Sequence, residues 1–256
     1  CCGLDDVSDA RRVADTLGIP FYLVNYQSDF QQEVIDRFVE DYARGRTPNP
    51  CVRCNDTVKF ETLLSRARLL GADYLATGHY VRTEVDETGE VSLYRGVDRA
   101  KDQSYFLAGI SRDALQRVIF PLGGMTKEEV REHAARLNLP TAAKKESQEI
   151  CFVTHGDYAR YLEEAAAEKL GGPGPIISLN GLRIGQHRGL HRYTVGQRRG
   201  LGVSGPEPRY VVGLRTEDNA LVVGSREAAS SDGLWASEER WITATAPLLG
   251  CVCRRG

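Results

Sequence analysis

Apolar residues in the first half of the chain recur three and four positions apart, and short continuous apolar runs separate these stretches. Asp6 to Leu17 puts Val7, Ala10, Val13, Ala14 and Leu17 on one helical face, which Gly18 and Pro20 end. Phe21-Tyr22-Leu23-Val24 then reads as a short buried strand. Ser28 is placed to cap a second helix with Phe30, Val34, Ile35, Phe38 and Tyr42 on its face. After a loop over 45–55, a third helix carries Phe60, Leu63, Leu64, Ala67 and Leu70. Tyr74-Leu75-Ala76-Thr77 is a second strand, ending at Gly78-His79. Strands and helices alternating at these lengths predict parallel strands joined by crossovers, an α/β fold.

From Tyr80 the period changes. Tyr80 to Val85 and Val91 to Tyr94 flank Asp86-Glu87-Thr88-Gly89 and predict a hairpin. Thr126 with Glu129 is a capping box for a helix through Leu137, and another helix runs from about His155 to Lys169. Ile176–Leu179 and Leu182–Ile184 flank Asn180-Gly181, a favoured hairpin turn. A second hairpin runs from Tyr210–Val212 to Leu221–Val223 around Asp218-Asn219, so the second half is mostly β. Domain boundaries fall near residues 170 and 227.

Composition narrows the class. Of 256 residues, 41% are hydrophobic and 27% charged, which is ordinary for a folded chain and excludes wholesale disorder. The net charge of −2 makes the whole chain no attractor for nucleic acid or membrane, so such a partner would need a local patch. No apolar run approaches the ~20 residues of a membrane helix. The chain starts Cys1-Cys2, has Met125 as its one methionine and stops in Cys251-Val252-Cys253-Arg254-Arg255-Gly256, which reads as an internal fragment of a longer protein. Seven unevenly spread cysteines without a secretory signal point to a reducing cytoplasm, where suggestively placed cysteines are catalytic or metal-binding.

Three segments can carry chemistry. In Gly45-Arg46-Thr47-Pro48-Asn49-Pro50-Cys51-Val52-Arg53-Cys54-Asn55, two prolines stiffen a C-x-x-C pair just before a helix. The helix dipole, Arg46 and Arg53 each favour thiolate. A nucleophile, a redox pair and half of a zinc site all fit this pattern. Cys151 follows a polar stretch holding Lys144 and Lys145; beside Ile150 and Phe152 it also fits core filler. Gly171 to Gly205 holds ten glycines, Arg183, Arg188, Arg192, Arg198, Arg199, His187 and His191, and no acid. Such guanidiniums suit phosphate oxygens, or form a solvated face. Weaker signals are Thr77-Gly78-His79-Tyr80, at the end of a parallel strand where open sheets bind ligands, and Lys101-Asp102-Gln103-Ser104.

Taken in order, GRTPNPCVRCN (45–55), ATGHY (76–80), KDQSYFL (101–107), SQEICF (147–152), GQHRGLHRYTVGQRRGLG (185–202) and YVVGL (210–214) resemble the bacterial tRNA-specific 2-thiouridylases. The resemblance implies a PP-loop ATPase domain of adenine nucleotide α-hydrolase type (1–170, truncated at its start). A small β-rich tRNA-binding domain (171–226) and the start of a β-barrel-like domain (227–256) would follow. It implies a cytoplasmic enzyme, a tRNA-uridine 2-sulfurtransferase, that uses ATP, with Mg2+, to activate the 2-carbonyl of a wobble uridine. Sulfur would arrive from a protein persulfide charged by a desulfurase or a relay protein. By position, Cys54 matches the nucleophile and Cys151 the persulfide carrier, and the two are implied to form a transient disulfide. Asn49, Pro50 and Cys51 match target-base positions, with no catalytic role for Cys51. Gly78 matches an ATP contact, and His79, Lys101, Asp102 and Gln103 match tRNA contacts. Arg188, Arg192, Arg198 and Arg199 are the candidate phosphate contacts. No structural metal is implied. The glycine-rich pyrophosphate loop of the family is not in this sequence, so activity is expected of the complete protein and not of this fragment.

Both cysteines are expected to border one cleft near Gly78, with Cys251 and Cys253 far from it. Two other readings fit some of the residues. A zinc-stabilised RNA-binding module would use Cys51, Cys54 and two further cysteines. Another PP-loop adenylating ligase would account for the α/β half and leave both cysteines idle.

Overall fold

A computed structural model describes residues 3–145, 150–153, 156–205, 207–233 and 240–242. Cys1, Cys2, His155, Cys251 and Cys253, the Ser147-Gln148-Glu149 half of SQEICF, and most of the expected third domain lie outside the described residues. The chain divides into two compact units, each discontinuous in sequence: Cys1–Phe30, Cys51–Ser147 and Glu238–Gly256 form one, Gln31–Pro50 and Gln148–Ser237 the other.

The first unit opens with the expected helix, Leu4–Leu17. Gly18 ends it in the left-handed region (φ +66°), letting the Ile19 N–H reach back to the Ala14 carbonyl. Two expectations fail next. Phe21–Val24 is not a strand, and Tyr22, Leu23 and Val24 are exposed. A strand exists only through a neighbour that takes its backbone hydrogen bonds, and among the described residues none pairs with this run. Ser28 is not a cap either: Gln27–Phe30 begins one residue earlier, and Asn25 Oδ1 accepts the Gln27 N–H at 2.9 Å.

Four strands follow among the described residues of this unit: β1 (Leu75–Ala76), β2 (Val81–Val85), β3 (Val91–Arg95) and β4 (Val118–Ile119). β1 and β4 pair in parallel, Leu75 opposite Val118. β2 and β3 form the expected antiparallel hairpin, Val85 opposite Val91. Asp86 closes its turn by accepting the Thr88 and Glu90 N–H groups at 2.8 and 2.9 Å. Phe60, Leu64, Val81, Leu107, Ile110, Leu115, Val118 and Phe120 make the core. Backbones meet closely at its edge: a Cβ on Gly123 would lie 1.7 Å from the Val81 carbonyl oxygen. The helix Lys127–Arg136 carries the expected reciprocal cap between Thr126 and Glu129.

In the second unit the residues expected as one helix run as a π-wound stretch, Gln31–Asp36, followed by an α-helix, Arg37–Ala43. Phe38, Val39 and Tyr42 pack on Leu162 and Ala166 of the helix Tyr158–Ala166. Phe152 meets Phe38 edge-on at 5.3 Å, and Tyr158 stacks on Tyr42. A four-stranded sheet completes the unit: β5 (Gly174–Ser178), β6 (Arg183–His187), β7 (Tyr210–Arg215) and β8 (Ala220–Gly224), in the order β6-β5-β8-β7. Both expected hairpins are present, joined by parallel pairing of β5 with β8. Gly181 supplies the positive φ of the Asn180-Gly181 turn (φ +79°). Ile176, Val211, Leu221 and Val223 are fully enclosed, over Leu190, Tyr193 and Leu201.

Candidate functional site

Helical geometry places Cys51 and Cys54. The loop after Gly45 (φ +69°) leads into Pro50, which starts the helix Pro50–Arg53, so the helix begins inside the C-x-x-C segment rather than after it. Proline suits this first position because its missing N–H would have no helical partner. Cys54 opens a π-wound continuation, Cys54–Leu63. Thr62 donates its hydroxyl to the Thr57 carbonyl five residues back, at 3.0 Å, within this wider winding. Cys51 is exposed and Cys54 half-buried.

The expected thiolate bias fails at Cys51. Desolvation pushes its thiol up, outweighing the opposite pull of Lys59. The two arginines expected to help are already compensated, Arg46 by Asp41 at 3.1 Å and Arg53 by Asp56 at 3.9 Å. Asp56 also accepts from Arg240 Nη1 at 2.9 Å; desolvation raises its pKa against both cations. The neighbouring Asn55 is buried and donates to the Phe106 carbonyl at 3.0 Å, which fixes this face of the helix against the 104–107 turn.

Beyond the C-terminal end of β1, Gly78 is exposed, and a Cβ there would meet only Leu122 Cδ1, at 3.7 Å. His79 turns inward. Its ring lies 5.8 Å from Phe60 and 6.2 Å from Phe120, and its Nδ1 shares a 2.8 Å hydrogen bond with Thr77 Oγ1. Burial first, then Lys59, pulls its pKa down to about 4, so the ring is neutral at pH 7. Asp102 accepts the Gly96 N–H at 2.9 Å and the Ser104 hydroxyl at 2.8 Å. Gln103 exchanges hydrogen bonds with the Tyr80 backbone, accepting through Oε1 and donating through its N–H. His79, Asp102 and Gln103 thus build the strand end themselves, and Lys101 sits half-buried beside them.

Cys151 is exposed on a turn closed by Val153 N–H to the Ile150 carbonyl. Its neighbours Ile150 and Phe152 pack into the Phe38–Leu162 core. Anchored neighbours and an outward thiol are the reverse of core filler. Upstream, the Lys144 ammonium is bound by Asp6 at 2.7 Å and Asp9 at 2.6 Å.

The acid-free stretch is not acid-free in space. Glu163 accepts Arg192 through Nε at 2.9 Å and Nη2 at 2.7 Å, and His191 Nε2 at 2.9 Å. Arg183, Arg188, Arg198 and Arg199 are exposed. Among the described residues no helix is long and apolar enough to cross a membrane, and no group of three or more His, Cys, Asp or Glu is arranged to hold a metal ion.

Comparison with known proteins bears on both units. The family model for the tRNA methyl transferase HUP domain matches residues 1–155, and that for the tRNA methyl transferase PRC-barrel domain matches 159–225. The tRNA-specific 2-thiouridylase of Geobacter metallireducens is 56% identical over 247 residues, covering 96% of this chain and 67% of that protein. Those of Geotalea uraniireducens and Carboxydothermus hydrogenoformans are 55% and 51% identical, covering 96% and 93% of this chain and 65% of each relative. The chain belongs to the tRNA-specific 2-thiouridylase family. It spans about two thirds of the length of these relatives. The α/β class and the β-rich second part agree with the family's HUP and PRC-barrel domains. Within this 2-thiouridylase frame, sequence reasoning missed Asp56 and Glu163 and gave Asn55 no role of its own. Asn55 and Asp56 directly follow the C-x-x-C pair, a signal that was available. Glu163, on an amphipathic helix, has none.

Proposed function

We propose that the complete protein replaces the C2 oxygen of a tRNA wobble uridine with sulfur. Family membership over nearly the whole chain, with both Cys54 and Cys151 present, carries this reading. A urea-like carbonyl is a poor electrophile. Attack of its oxygen on the α-phosphate of ATP expels pyrophosphate and makes that oxygen a leaving group. The terminal sulfur of a Cys151 persulfide then attacks C2, and AMP departs. Cys54 as thiolate attacks Cys151 Sγ, the sulfur–sulfur bond to the base breaks, and the electron pair stays on the 2-thio group. The cysteines are left as a disulfide, which an external thiol reduces.

Gly78 is assigned to ATP, with Mg2+ on the phosphates, because its exposed, side-chain-free position past a parallel strand leaves room for a nucleotide. Asn49, Pro50 and Cys51 are assigned to the target base, Cys51 without acid–base work because its thiol is pushed up. His79, Lys101, Asp102 and Gln103 shape the surface that tRNA meets. Arg188, Arg198 and Arg199 take its phosphates. A persulfide-bearing desulfurase or relay protein is the sulfur donor.

Serine variants of the complete protein test the roles. Cys151→Ser abolishes labelling by a persulfide probe after incubation with a desulfurase and cysteine. Cys54→Ser still takes up the label but forms less than about 1% of the 2-thiouridine. Near-normal thiolation by either variant rejects the role given to that cysteine.

A further inference from the structure

In the second unit, Gln186, Arg188, Arg192, Tyr193, Gly200, Leu201 and Gly202 line a groove of about 470 Å3. That volume lies within the ~300–1,000 Å3 of small-ligand sites. Its lining has two characters. Tyr193 and Leu201 are buried and belong to the sheet core, so they offer an apolar floor. Arg188 is exposed and makes no ion pair among the described residues. Gly200 and Gly202 both have positive φ (+77° and +68°), which holds the facing loop in a conformation that leaves its backbone bare of side chains. Arg192 differs from Arg188: its Nε–Nη2 edge and its charge are taken by Glu163.

We propose that this groove is a nucleotide-sized RNA subsite, with Arg188 on the phosphodiester and Tyr193 and Leu201 beneath the sugar or base. The proposal rests on the tRNA reading above and adds to it one location and a division of labour among the arginines. Arg188 is the cation that releases counterions. Arg192 is a positioning residue whose pairing with Glu163 ties the 190–193 turn to the helix Tyr158–Ala166 and holds the groove wall.

Binding of tRNA to the full chain, measured between 50 and 300 mM salt, tests this. Arg188→Ala lowers the slope of log K against log salt by about 0.7–0.9 and weakens binding roughly five- to tenfold near 0.1 M salt. Glu163→Gln keeps the wild-type slope to within about 0.3 while lowering the melting temperature. A ten-nucleotide single-stranded RNA competes, whereas inorganic phosphate and AMP at the same phosphate concentration do not. If Arg188→Ala binds tRNA like wild type while the Arg198→Ala, Arg199→Ala double variant is weakened, the groove is not the subsite and the tRNA reading stands. If wild type itself binds no tRNA, the reading falls. A Glu163→Gln slope steeper by a full unit overturns the positioning role, because Arg192 would then be a suppressed phosphate contact. Equal competition by AMP overturns RNA as the ligand.

Discussion

At the scale of the residue, His79 shows how surroundings decide chemistry. In the unfolded chain its imidazole binds a proton near pH 6.5, whereas in the folded protein it does so only near pH 4. Between those values the unfolded state holds more protons, so stability falls as pH drops from about 6.5 to about 4. The loss is on the order of 2–3 kcal/mol. Urea titrations at pH 7.5 and 4.5 should therefore show a smaller pH effect for His79→Gln than for wild type by about that amount. An equal pH effect in both would mean that the ring is solvated. Cys151 makes the complementary point. Its residue type and apolar neighbours suggest core filler, but the neighbours take the buried places and leave the thiol outside.

At the scale of the element, the helix Lys127–Arg136 has no buried residue, so its caps must do what packing does elsewhere. Thr126 and Glu129 cap each other, and Asp98 Oδ2 accepts the Lys127 N–H at 3.0 Å. Removing the threonine oxygen costs about 1 kcal/mol. Thr126→Ala should speed amide hydrogen exchange across 127–136 by roughly fivefold and leave exchange in β2 and β3 unchanged. Unchanged exchange in the helix would show that the cap is dispensable. The Cys54 helix is the opposite case. Its burial of Asn55, Thr57, Val58 and Phe60 sustains a π-wound turn that local propensity alone would not favour.

At the scale of the whole molecule, each unit draws on distant parts of the chain. The second unit's helical core brings Phe38, Val39 and Tyr42 against Leu162 and Ala166, more than a hundred residues later. Leu162 is fully enclosed, so Leu162→Ala leaves a cavity and should cost about 2–5 kcal/mol. Denaturant unfolding followed by Trp or Tyr fluorescence would measure it, and a loss below about 1 kcal/mol would show that the two helices are not mutually dependent.

Much of the local structure was legible in the sequence, because it depends on neighbours a few residues away. The helix ending at Gly18, the Asp86 turn, the Thr126–Glu129 cap and the Asn180-Gly181 hairpin each need only a short pattern and the right residue at one φ or one cap. The candidate segments 45–55, 76–80 and 101–104 were legible too, but not their internal division of labour. That Tyr22–Val24 is exposed, with no strand pairing among the described residues, depends on a strand neighbour, which no local pattern specifies. That Arg46 and Arg53 are neutralised, that Asp102 and Gln103 hold backbone, and that Glu163 claims Arg192 depends on partners brought in by folding. Periodicity and capping act over one turn, whereas desolvation and charge pairing act through space. The sequence by itself therefore determined the locally specified elements and the chemical vocabulary of this protein. Only the tertiary structure decided which thiols and cations are exposed and which carry a compensating partner.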